Sequence, residues 1–226
     1  FIKQRVELLE VVTGFETANA YDILGTQNGQ TEPLFFAGEQ SDCCTRQCCG
    51  SNRCFEMAVF SATNASSAST PLMTFERPLR NRPPGCCCYL QEIKVFNEDG
   101  AARGESPIGR LMQNYSCCGS AFSVLVGGVV QFKISGPVCI CDGPCCGDQQ
   151  FFITTGTSGQ HIETPAGPAR ITKMGAKGFE GMVQEAVSDA DNFGCTFPPG
   201  ASPEAKAVLL AAVFLIDFLF FEDSAG

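Results

Sequence analysis

From Ala207 to Ile216 the chain reads Ala-Val-Leu-Leu-Ala-Ala-Val-Phe-Leu-Ile, ten residues with no polar face. A helix that is apolar all round has to be buried, either in protein or in lipid. Ser202-Pro203-Glu204 supplies its start, with Ser as N-cap, Pro at the first helical position and an acid in the first turn. Ten residues at ~1.5 Å each rise about 15 Å, roughly half the ~30 Å hydrocarbon core of a bilayer. The run is then broken by Asp217, whose charge is costly at membrane depth, before Phe218 to Phe221 resume it. Length and Asp217 favour a helix sheathed by the rest of the fold over one inserted in a membrane. On either reading the apolar element comprises Ala207, Val208, Leu209, Leu210, Val213, Phe214, Leu215 and Ile216.

What precedes this segment is of a different kind. Short runs rich in Phe, Val, Ile and Leu are separated by turn residues: Leu34 to Phe36, Phe55 to Phe60, Leu72 to Phe75, Leu90 to Phe96, Phe122 to Val126, Val129 to Ile134 and Phe151 to Thr154. Gly127-Gly128 and Asn28-Gly29 are two-residue links of the type that close antiparallel hairpins. Val130, Phe132 and Ile134 alternate with Gln131 and Lys133, so that strand has one buried and one solvated face. Leu90 to Phe96 alternates less cleanly. Ser61 to Thr70 and Gly156 to Pro168 read as surface loops, and neither demands a domain boundary. The expected organisation is one all-β domain over residues 1–226 with a buried C-terminal helix.

With 44% hydrophobic and 17% charged residues the chain can bury a sizeable core. Its net charge of −9 excludes binding to nucleic acid or to anionic lipid by charge alone, both of which need clustered Lys and Arg. The first residues, Phe1-Ile2-Lys3-Gln4-Arg5, lack the features of a secretory signal, and we expect a chain that begins within a longer protein. The 15 cysteines fall mostly in adjacent runs, which suit disulfide geometry poorly and point to a reducing compartment.

Eight segments carry a family resemblance. They are Leu8 to Thr17, Asp42 to Gly50, Phe75 to Arg80, Leu90 to Ile93, Lys133 to Pro137, Cys145 to Asp148, Asp189 to Gly194 and Phe214 to Phe218. Together, in this order and over nearly the whole chain, they resemble the phospholipid scramblases of the tubby-like superfamily. The resemblance implies a closed antiparallel barrel of about 12 strands wrapped around a hydrophobic C-terminal helix. It further implies ATP-independent, calcium-responsive movement of phospholipids between membrane leaflets, attachment to the cytoplasmic face of the plasma membrane, and signalling proteins as partners. The alternative is a non-transporting module of the same fold that binds lipid or protein while tethered by S-acylation.

The resemblance places a calcium segment on Asp189 to Gly200. Asp189 and Asp191 stand at its first and third ligand positions and Gly194 at the sixth, where a sharp turn is expected. Phe193 at the fifth position and Gly200 at the last offer no side-chain oxygen, so the site is weak, or Asp191-Asn192 is only a polar turn before a strand holding Phe193 and Phe197. The resemblance likewise implies S-acylation at Cys86, Cys87 and Cys88, following Arg82-Pro83-Pro84-Gly85, against the reading of cysteine as a small buried hydrophobe. Zinc is not expected: Cys43, Cys44, Cys48, Cys49, Cys139, Cys141, Cys145 and Cys146 lack a clean CxxC pair. The one histidine, His161, lies in a Gly- and Pro-rich loop without a nucleophile motif, and no phosphate-binding loop occurs, so covalent catalysis is not expected.

Overall fold

The computed structural model describes residues 1–5, 18–27, 30–41, 53–62, 70–79, 90–98, 100–140, 147–175 and 192–222. Fourteen strands precede one long helix among them: β1 (Ile2–Gln4), β2 (Ala20–Gln27), β3 (Gln30–Gln40), β4 (Phe55–Ser61), β5 (Met73–Arg77), β6 (Glu92–Asn97), β7 (Gly109–Asn114), β8 (Ala121–Val126), β9 (Val129–Ser135), β10 (Gln149–Thr155), β11 (Glu163–Thr164), β12 (Gly167–Pro168), β13 (Arg170–Lys173), β14 (Asn192–Thr196) and α1 (Pro203–Phe220). Twelve strands close a barrel in the order β1-β14-β13-β10-β9-β8-β7-β6-β5-β4-β3-β2, every described pairing antiparallel. Closure leaves no sheet edge to aggregate.

The hairpin glycines act where the sequence places them. Gly127 and Gly128 take φ of 58° and 78° between the paired Val126 and Val129, as a two-residue turn with two positive φ values requires. Gln27 pairs with Gln30, and Asn28 and Gly29 between them lie outside the described residues. In β9, Ile134 is buried and Phe132 half-buried, while Gln131 and Lys133 face out or nearly so. β6 alternates poorly because Glu92, Ile93, Val95 and Phe96 are all buried. The expected loop at 156–168 is not featureless: it holds the small β11–β12 sheet and a bridge between Thr154 and His161.

An eight-stranded barrel is roughly filled by its own side chains, whereas twelve strands leave a lumen that something else must occupy. Here it is α1. Ser202 caps it as its Oγ accepts the Ala205 N–H at 3.2 Å, and Pro203 and Glu204 occupy the first turn. From Val208 to Phe218 every residue of α1 is buried. Its aromatic rings reach opposite walls: Phe214 lies 4.7 Å from Tyr21 on β2 and 5.7 Å from Phe75 on β5, and Phe220 lies 6.5 Å from Phe122 on β8. At the other end Gly109 of β7 leaves room for the helix, since an added Cβ would collide with Val208 Cγ2. The membrane-inserted alternative for Ala207 to Ile216 is therefore not the arrangement seen. Among the described residues no helix is long and apolar enough to cross a membrane.

Candidate functional site

The antiparallel order gives the barrel two unlike rims. At the entry rim β14 ends and α1 begins, and here also lie the β2–β3, β4–β5, β6–β7 and β8–β9 connections. At the distal rim, where α1 ends, the chain links β1 to β2, β3 to β4, β5 to β6, β7 to β8, β9 to β10 and β13 to β14. Every cysteine except Cys195 falls in one of these distal connections.

The interior of that end is polar. Arg53, just before β4, donates from Nε to Glu39 Oε1 at 2.6 Å and from Nη2 to Glu39 Oε2 at 2.9 Å, a two-pronged pair with side chains 1% and 0% exposed. Its Nη2 also reaches Glu222 Oε1, just beyond α1, at 2.7 Å. Asn19 donates from Nδ2 to the same Glu222 oxygen at 2.9 Å and from its backbone N–H to Glu39 Oε2 at 2.9 Å. Desolvation alone would raise the Glu39 carboxyl, but the Arg53 hydrogen bonds and charge hold it below the usual carboxylate value. For Glu222 burial wins and its pKa is raised despite Arg53.

Asp217 is answered within the barrel. Tyr21 donates its hydroxyl to Asp217 Oδ2 at 2.6 Å, and burial, reinforced by Asp217, pushes the phenol well above its ordinary pKa. A carboxylate that would be costly in lipid is here a tie between helix and wall. Two guanidinium groups lie over the last turn of α1: Arg53 sits 4.7 Å from the Phe218 ring centroid and Arg77 5.9 Å from it. The last turn of α1 contains no basic residue of its own, so these two cations of the surrounding wall complement the negative end of its dipole. Arg77 donates to Gln91 Oε1 at 3.1 and 3.3 Å, and burial lowers its pKa to about 10.

These groups hold one another and lack the arrangement of a nucleophile with a base; their evident role is to lock the end of the helix into the barrel. Beside them an open groove of about 510 Å³ is lined by Ser41, Cys54, Phe55, Glu56, Glu76, Arg77 and Leu79 among others. None of Glu39, Arg53, Glu222 and Tyr21 was singled out from the sequence. The one signal available was Asp217 inside an apolar run, which implies a buried donor somewhere.

The expected site residues are distributed as follows. Cys86, Cys87 and Cys88 lie outside the described residues, in the β5–β6 connection, and so do Asp189 and Asp191, in the β13–β14 connection. The rest of the calcium segment differs from the expected loop. Gly194, at the position of the sharp turn, is extended in β14 opposite Thr172, and Phe193 is buried against Phe221 at 5.8 Å. β14 is built into the barrel wall between β13 and β1, and that pairing leaves its backbone no freedom to turn. Of the cysteines weighed for zinc, Cys139 alone is described; among the described residues no three His, Cys, Asp or Glu side chains converge as metal ligands would. His161 is exposed at the entry rim, its ring 5.6 Å from Phe152.

A closed twelve-stranded barrel plugged by its own apolar helix is the architecture that the tubby-like resemblance implied. The Scramblase family model matches residues 1–223, and the chain belongs to that family. Phospholipid scramblase 1 of Homo sapiens is 38% identical over 226 residues, which is all of this chain and 63% of that protein. The rat protein of the same name is 37% identical over 98% of this chain and 59% of its own length. Phospholipid scramblase 2 of Bos taurus is 36% identical over all of this chain and 69% of its own length. The chain thus spans about three fifths of the first of these relatives. No solved structure matches.

Proposed function

We propose that this chain is the lipid-handling core of a phospholipid scramblase, which facilitates ATP-independent movement of phospholipid between leaflets without covalent chemistry. The observation that carries this reading is the family match over residues 1–223, together with relatives named phospholipid scramblases. Because α1 fills the lumen, lipid does not pass through the barrel, and the helix cannot plug the barrel and span a bilayer at once. Transport would then act from the membrane surface, with acyl chains on Cys86, Cys87 and Cys88 holding the barrel at the cytoplasmic face of the plasma membrane. Two chains hold firmly where one binds reversibly. Signalling proteins are the further partners this reading expects.

Calcium responsiveness rests on Asp189 and Asp191. The β14 ladder occupies the backbone that would complete a twelve-residue loop, so the remaining oxygens would come from the chain before Asn192. A second reading, a non-transporting binding module tethered by S-acylation, is favoured by one feature: Leu209 and Phe214 are 0% exposed within the barrel.

Proteoliposomes carrying fluorescent phospholipid separate the two. The scramblase reading expects lipid movement above that of empty vesicles, increased by calcium and less responsive in Asp189→Ala. Movement equal to empty vesicles at every calcium concentration would leave the tethered module as the account.

A further inference from the structure

The two rims differ on their outer surfaces as much as inside. At the distal rim the β7–β8 turn, Tyr115 to Ser120, carries no charged side chain, and neither does Gly136 to Ile140 of the β9–β10 connection; the one charge in the rest of its described part is Asp148, just before β10, whose carboxylate accepts the Gly175 N–H at 2.9 Å. Tyr115 is 70% exposed and Val138 80% exposed, the two most exposed of the large apolar side chains described. Cys117, Cys118 and Cys139 are exposed beside them, adding weakly polar surface.

The two segments are fastened together. Gly136 donates its N–H to Ser120 O at 2.8 Å, and Gly119, at φ 90°, lies so close to Pro137 that a Cβ there would sit 2.9 Å from the Pro137 oxygen. Tyr115 and Val138 are thus carried on one braced platform and not on independent loops. Further round the same rim, Leu79 is 49% exposed at the end of β5.

The entry rim also exposes large apolar groups, Leu72 at 45% and Val129 at 60%, but sets them among carboxylates: Glu32, Glu98, Glu105 and Glu163 are exposed there, with Arg103 bridging Glu98 and Glu105. Carboxylates are expelled from an apolar phase and repelled by anionic headgroups, so this acidic protein has one end that a bilayer would accept. An aromatic ring with a polar tip, such as Tyr115, is a side chain suited to the headgroup boundary.

We propose that the distal rim is the face that docks on a phospholipid bilayer, with Tyr115 and Val138 inserted at the headgroup boundary and the barrel axis pointing into the membrane. This rests on the lipid-handling reading above and adds to it the orientation. The end that locks the helix faces lipid, and the helix start faces away.

The chain contains no tryptophan, so a single introduced one reports its own surroundings. Val138→Trp, with Tyr115→Trp as a second distal probe, is compared with Val129→Trp on the entry-rim hairpin, a position 60% exposed. Each full chain is mixed with phosphatidylcholine vesicles, with or without brominated acyl chains. The expected result is a blue shift and loss of most emission to bromine for both distal probes, with the Val129→Trp emission unchanged. Quenching of Val129→Trp equal to or above the distal probes overturns the proposal, as does the absence of quenching at all three. A concentration-dependent blue shift of Val138→Trp without vesicles, and no quenching with them, also overturns it and identifies a second copy as the occupant. Lipid movement by the same preparation without distal quenching removes the docking face and leaves the transport reading standing; distal quenching without lipid movement does the reverse.

Discussion

Arg53 is the residue whose loss should damage the fold most per atom removed. It is 1% exposed, grips Glu39 through two hydrogen bonds of 2.6 and 2.9 Å, and holds Glu222 through a third of 2.7 Å. Arg53→Met keeps the packing of the stem against Phe218 but leaves two carboxylates at a desiccated rim without their shared cation. Removing one partner of a buried ion pair costs about 3–5 kcal/mol, most of it the penalty of the charge left behind. Glu39 would retain the Asn19 N–H and the Ser41 hydroxyl, so the lower part of that range applies first. At a urea dependence of roughly 3 kcal/mol per molar, about 3 kcal/mol shifts the unfolding midpoint down by about 1 M. Arg53→Lys should lose less, since it keeps the charge but not the two-pronged geometry. The double variant Arg53→Met, Glu39→Gln should recover part of the loss by removing the stranded charge. Circular dichroism across a urea titration reads all four proteins. A midpoint shift for Arg53→Met no larger than that of Arg53→Lys, or a double variant no more stable than Arg53→Met, would refute the reasoning.

Phe214→Ala should cost about 3–5 kcal/mol in the detergent-free protein, because the ring fills space between Tyr21 and Phe75 that no neighbour can close; unchanged urea stability would mean the helix does not live in the barrel. Alkaline pH tests the helix tie. The folded-state pKa of Tyr21 lies well above its unfolded value of about 10, so its stabilising contribution is complete below that pH and is lost as pH rises beyond it. Tyr21→Phe, measured by urea unfolding between neutral and alkaline pH, should show a shallower decline above pH ~10 than the parent, and an identical decline would count against the buried phenol as its source.

Much of the fold was legible because each piece carried its own signal. Gly127-Gly128 can close only a tight hairpin, the alternation of Val130 to Ile134 fixes a two-faced strand, and Ser202-Pro203-Glu204 announces a helix that its apolar sequel obliges something to enclose. β2 was harder to see. Its register shifts between Ile23 and Leu24, which breaks the period of two just after the inward-facing Tyr21 and Ile23. β1 has three residues and β13 four, too few for any periodicity.

The lock at the distal rim was beyond local reading for a different reason. Asn19 and Glu222 meet across 203 positions and Arg53 and Glu222 across 169, and no spacing rule links residues that only closure of the barrel brings together. Antiparallel strands return the chain to one rim at every second connection, so residues as far apart in sequence as Cys54, Cys117 and Cys139 are brought to one end without any internal repeat. A barrel that buries its long apolar helix has only scattered large apolar groups left to offer a membrane, and Tyr115 and Val138, the two most exposed of those described, lie on that single rim with the exposed thiols of Cys117, Cys118 and Cys139.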